Sequence, residues 1–101
     1  MLDVVLSAIA DPTRRAMVQR LAHGPATTGQ LAALFPISRP AVSQHLRLLR
    51  AAGLVGSAGP GRGAPNVLVP EQLSLVERWA HDQLARSRRM SNGVSAETRK
   101  T

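Results

Sequence analysis

Residues 38–55 read SRPAVSQHLRLLRAAGLV, and how this stretch divides polar from apolar side chains decides the fold. At about 100° per residue, Val42, His45, Leu46 and Leu49 gather within one third of a helical circle. Pro40, Ser43, Gln44 and Arg47 point the opposite way, and Arg39 and Arg50 lie at the border. Ser38 is a preferred N-cap and Gly53 a preferred stop, so the spacing predicts one helix running to about Ala52. Its outward face holds short hydroxyl and amide groups flanked by guanidinium groups. No carboxylate lies there, and none of the i,i+4 Glu–Lys pairs that a merely solvated face commonly carries.

That chemistry suits a major groove. Gln44 can pair bidentately with adenine, an arginine with guanine, and Ser43 is short enough to let the helix approach closely. The helix N-terminus at Ser38 adds a partial positive charge and free N–H groups for a phosphate. The plainer alternative makes Ser43 and Gln44 ordinary surface polar groups. His45 stands alone toward the apolar side, which suits packing better than ligation or catalysis.

Working outward, the chain in front of this helix is also helical. Leu2, Val5, Leu6 and Ile9 recur at helical spacing. Asp11-Pro12 then offers an N-cap followed by a favoured first helical residue, and TRRAMVQRLA continues from it. There Met17, Val18 and Leu21 are expected inward and Arg14, Arg15 and Arg20 largely outward. Gly24-Pro25 ends that helix. Thr27 with Gln30 fits a capping box for a short helix through Leu31 and Leu34, which Pro36 breaks.

Behind Gly53 the pattern changes. LVGSA and NVLVP are short β-leaning runs around a Gly-Pro-Gly-Arg-Gly-Ala-Pro loop, which predicts two antiparallel strands. From Glu71 to about Met90, Leu73, Val76, Trp79, Ala80 and Leu84 form one stripe of a last helix. The expected class is mainly α with a two-stranded β-wing, in the order α-α-α-α-β-β-α: a winged helix-turn-helix. Residues 1–90 are expected to be one domain, and the aperiodic residues 91–101 a disordered tail.

Composition narrows the partners. The 101 residues carry 13 Lys and Arg against 6 Asp and Glu, a net charge of +7, and no carboxylate lies between Asp11 and Glu71. Arg14, Arg15, Arg20, Arg39, Arg47, Arg50 and Arg62 all fall in that interval. A body of one sign repels itself unless it meets a polyanion, so double-stranded DNA is the expected partner. There is no cysteine, which excludes disulfides and thiolate metal sites. No apolar run nears the roughly 18 residues of a membrane-spanning helix. The opening MLDVVLSAIADP lacks a basic lead and does not read as a signal peptide. A cytoplasmic protein without a membrane partner is expected.

The segments ADPTRR at 10–15 and SRPAVSQHLRLLRAAGLV at 38–55, in this order and spacing, resemble the ArsR (ArsR/SmtB) family of bacterial winged helix-turn-helix repressors. The resemblance covers roughly residues 5–85. It implies a homodimer on an imperfect palindromic operator, joined through its first and last helices. By it, Leu2, Val5, Leu6 and Ile9 would pack against Leu73, Val76, Trp79 and Leu84 across a two-fold axis. The residues themselves agree, because a small domain has little core to cover two apolar terminal helices. Trp79 is the best anchor; the alternative has it plug the chain's own core. The expected DNA-binding set is Arg15, Ser38, Arg39, Pro40, Ser43, Gln44, Arg47, Arg50 and Arg62.

Two departures qualify the resemblance. Many relatives sense metals through cysteines or through Asp and His on the last helix. Here that helix offers Glu77, His81 and Asp82 without a second histidine, a poor ligand set. No metal or cofactor is expected, and the chain resembles the metal-independent branch. The wing offers only Arg62, suited to a minor groove, where relatives carry several cations and an aromatic. Its GPGRG lacks the following helix and Lys-Ser/Thr of a phosphate loop. Other readings stay open: a winged helix that binds protein, or a repressor gated by an unidentified ligand or metal. Catalysis is not expected, since the carboxylates and histidines are scattered and no nucleophile motif occurs.

Overall fold

The computed structural model describes residues 1–93, and seven elements follow in chain order. Helix α1 spans Leu2–Ala10, α2 Pro12–Leu21, α3 Thr28–Leu34 and α4 Arg39–Ala51; strands β1 (Val55–Ser57) and β2 (Asn66–Leu68) precede helix α5 (Glu71–Gly93). The winged helix-turn-helix order read from the sequence is the order observed.

Local chemistry sets most of the boundaries. The Asp11 carboxylate accepts the Arg14 N–H at 2.9 Å and Pro12 opens α2. Thr27 Oγ1 accepts the Gln30 N–H while Gln30 Oε1 accepts the Thr27 N–H, closing the expected capping box. Ser38 Oγ accepts the Ala41 N–H at 3.2 Å and starts α4. At the other end, Gly53 takes φ +76°, its N–H donates to the Arg50 carbonyl, and Leu54 N–H donates to that of Leu49. This is a Schellman stop, and it requires a left-handed residue that glycine adopts without strain. Leu49 and Leu54, the apolar pair that accompanies such a stop, are both fully buried.

The core lies between α1–α4 and the wing root. Val5, Met17, Leu31, Val42, Leu46, Leu49, Ala52 and Leu54 are essentially inaccessible, and Leu73 and Val76 of α5 pack against this cluster half-buried. The wing is antiparallel, with Val55 opposite Leu68 and Ser57 opposite Asn66. An isolated bridge pairs Ala26, between α2 and α3, with Asn66.

Three sequence expectations are corrected. Arg14 is not outward: its Nε donates to the Ala8 carbonyl at 2.7 Å and Nη2 reaches that of Ser7, so it closes the carbonyl end of α1. Val5 is wholly enclosed in the chain's own core and cannot face a partner, whereas its neighbour Val4 is exposed. The last helix does not stop at Met90 but includes residues 91–93, since nothing in that stretch breaks the ladder before Gly93. The remainder of the expected tail, 94–101, lies outside the described residues.

Candidate nucleic-acid interface

Helix α4 is held by its apolar face, and the opposite face is free. Val42, Leu46 and Leu49 fix the rod to the core, while Pro40, Gln44 and Arg47 stand exposed on the far side and Ser43 is half-buried at its margin. Gln44 Oε1 accepts a hydrogen bond from Arg47 Nη1, so the two long polar side chains are organised as a pair before any ligand arrives. The Gln44 amide N–H groups and the other Arg47 donors remain for a partner. Leu48, also exposed, adds an aliphatic group beside Gln44 that the sequence reading passed over.

The border arginines differ. Arg39 is exposed and its guanidinium lies against α3: a Cβ on Gly29 would sit 3.6 Å from Arg39 Nη2. Arg50 donates through Nη2 to Asn66 Oδ1 at the root of the wing. Arg15 is exposed, with Nη1 on the Ile9 and Ala10 carbonyls at 2.9 and 3.2 Å, so part of its donor capacity serves α1. Ser38 uses one acceptor lone pair on the cap, leaving the other and the hydroxyl hydrogen. Arg62 stands exposed in the wing loop between Gly61 and Gly63, both at positive φ.

On its inner side α4 meets a small polar cluster. His45 is half-buried, with Nδ1 3.4 Å from Arg14 Nη1 and 3.9 Å from Asp11 Oδ2. It packs as expected but is not alone, and it links α4 to the α1–α2 corner. The Arg14 amide that Asp11 caps holds its carboxyl below the ordinary 3.8; burial opposes this, and the charges of Arg14 and His45 add to it. A depressed carboxyl pKa contributes stability that is present above the unfolded value and lost as pH falls below it. Asp11→Asn keeps a good cap but does not titrate. Thermal melts are therefore expected to show a smaller loss of midpoint below about pH 4 for Asp11→Asn than for the parent. Equal acid losses would remove Asp11 from the account.

Residues 9–56 match a family described as a helix-turn-helix domain. Over 74 residues the chain is 60% identical to the HTH-type transcriptional regulator Rv2034 of Mycobacterium tuberculosis, covering 73% of this chain and 69% of that one. It is 40% identical over 58 residues to the transcriptional repressor SdpR of Bacillus subtilis, covering 57% of this chain and 64% of SdpR. A crystal structure of an ArsR family transcriptional regulator superposes with a TM-score of 0.79 at 33% identity, over 86% of this chain and 96% of that one. The chain belongs to the ArsR family. It is a winged helix-turn-helix transcriptional regulator, with α3 and α4 as its helix-turn-helix.

In this ArsR-family chain α1 and α5 pack together, and between them they leave Met1, Val4, Trp79 and Leu84 exposed. Trp79, at 48% accessible, does not plug the core. Leu2, Leu6 and Ile9 are half-buried, as are Leu73 and Val76, which already serve the chain's own core. Glu77, His81 and Asp82 are all exposed on α5, and among the described residues no three metal-ligating side chains come together. No helix among them is long and apolar enough to cross a membrane.

Two features escaped the sequence reading. Val4 is a step of about 100° from Val5, and a nine-residue helix with apolar residues on several sides does not say which of the two faces inward. Asn66 had a faint signal, since asparagine is depleted in strands yet opens the NVLV run.

Proposed function

We propose that two copies of the chain form a symmetric dimer that represses transcription by covering an imperfect palindromic operator. One α4 would enter each of two successive major grooves, about 34–36 Å apart. The observation that carries this reading is the exposed face of α4, where Gln44 and Arg47 are paired, Arg39 and Arg50 flank them, and no carboxylate intervenes. The exposed Trp79, Leu84, Val4 and Met1 support pairing through α1 and α5. Arg15, Arg47, Arg50 and Arg62 are assigned to phosphates, which makes binding steeply dependent on salt. The protein would act in the cytoplasm, on chromosomal DNA.

Base-reading and phosphate-holding residues separate in an electrophoretic shift assay on a selected operator and on mixed-sequence duplex. Gln44→Ala and Arg39→Ala are expected to lower operator affinity about 10- to 100-fold with little change on mixed sequence, as for a lost bidentate base contact. Arg62→Ala is expected to weaken both alike. The same loss on both duplexes for all three variants would overturn this assignment, and no binding by the parent protein would overturn the DNA-binding proposal itself.

A further inference from the structure

Asn66 opens β2 with its side chain fully buried, the one polar residue among the described ones to be so enclosed. Its carboxamide is fully employed. Nδ2 donates to the Ala26 carbonyl at 3.0 Å and approaches Thr28 Oγ1 at 3.4 Å, while Oδ1 accepts from Arg50 Nη2. Three parts of the fold therefore meet on one side chain: the end of α4, the start of β2, and the connection into α3.

The joint does more than the fold requires. The Ala26 carbonyl already accepts the Asn66 backbone N–H at 2.8 Å, and the Ala26 N–H donates back to the Asn66 carbonyl at 3.0 Å. Those two bonds fasten the wing root to the α2–α3 connection without any carboxamide. What the carboxamide adds to them is the tie to Arg50, with a longer approach to Thr28 Oγ1. A free arginine on a helix surface samples many rotamers, and ordering it against a ligand costs affinity. With Nη2 tied to Asn66 Oδ1, the guanidinium has fewer rotamers open to it, and its other N–H donors, on an exposed side chain, make no further hydrogen bond among the described residues.

We propose that Asn66 is a positioning residue for DNA binding, holding Arg50 so that its free N–H donors meet a backbone phosphate beside the wing root. This rests on the DNA-binding reading of α4, and the experiment separates the two. A phosphate contact carries no sequence information, so a mixed-sequence duplex is a sufficient probe.

Fluorescence anisotropy across a salt series would compare the parent, Arg50→Ala, Asn66→Leu and the double variant. Leucine fills the volume of asparagine without its hydrogen bonds. Each engaged subunit of Arg50→Ala is expected to lose about eight-fold in affinity near 0.1 M salt, and the log–log salt slope to shrink by about 0.9 per subunit. Asn66→Leu is expected to lose a few-fold alone and nothing further once Arg50 is alanine. A purely architectural Asn66 would instead weaken binding equally in both backgrounds, which overturns the proposal. So does an Arg50→Ala protein with parental affinity and slope.

Should the leucine variant unfold, Asn66→Asp carries the same test. It keeps the shape and the acceptor oxygen but neutralises Arg50, and is expected to reproduce the reduced slope; an unchanged slope overturns the assignment. Failure of the parent to bind any duplex would instead refute the reading on which the proposal rests.

Discussion

Replacing Trp79 with alanine is expected to raise the dimer dissociation constant about a thousandfold, as read by sedimentation equilibrium over a dilution series. The side chain is the largest apolar group in the chain, yet it is 48% accessible and stands on α5 away from the buried cluster. Truncating a buried aromatic anchor in an interface costs about 2 kcal/mol or more. In a two-fold interface the same residue is removed from both partners. The doubled loss, about 4 kcal/mol, corresponds to roughly three decades in Kd. Folding of the isolated chain should hardly change, because Trp79 contributes little to the core. A dimer of parental strength would show that the exposed residues of α1 and α5 serve another purpose. A strongly destabilised monomer would show that Trp79 packs internally after all.

In the proposed dimer, symmetry links the interface to the reading face. One α4 presents few base-reading groups, and a helix-turn-helix dimer reads two half-sites at a fixed spacing. Trp79→Ala should therefore also make operator binding steeply dependent on protein concentration, although residue 79 touches no DNA in this reading. The α1–α2 corner connects α1 to α4, since Arg14 closes the carbonyl end of α1 through Nε and Nη2 while its Nη1 meets His45 on α4. In the proposed dimer, a shift of α1 would thus be felt at α4 through one guanidinium.

What was legible in the sequence was local. Asp11-Pro12, Thr27 with Gln30, Ser38 and Gly53 each act within a few residues of themselves, and each marks a boundary where expected. The two faces of α4 were equally legible, because the periodicity of a 13-residue helix averages over several turns. What failed depends on contacts between distant segments. Arg14 was expected in solvent because cations usually are; the open carbonyls at the end of α1 draw it inward. Val5 rather than Val4 is enclosed because of where α2 and α5 lie, which nine residues of α1 cannot encode. Asn66 is meaningful only once residues 26, 28 and 50 surround it.

Leu46→Ala is expected to cost about 2–5 kcal/mol in urea unfolding at fixed protein concentration. Leu46 is 1% accessible and sits where α4 meets the core. Against a whole-domain stability of about 5–15 kcal/mol that loss is a large fraction, and at the low end of the range it leaves a measurable unfolded population. Gln44→Ala, two residues away on the exposed face, should stay within about 0.5 kcal/mol of the parent. The contrast is sharper in binding. Corrected for the folded fraction, Leu46→Ala should keep the parental preference for operator over mixed sequence, because the outward side chains are unchanged whenever the helix is seated. Gln44→Ala should be fully folded and lose that preference. If instead Leu46→Ala relaxed specificity while remaining folded, α4 would not be a rigid rod whose faces act independently, and base reading would depend on how the core packs beneath it.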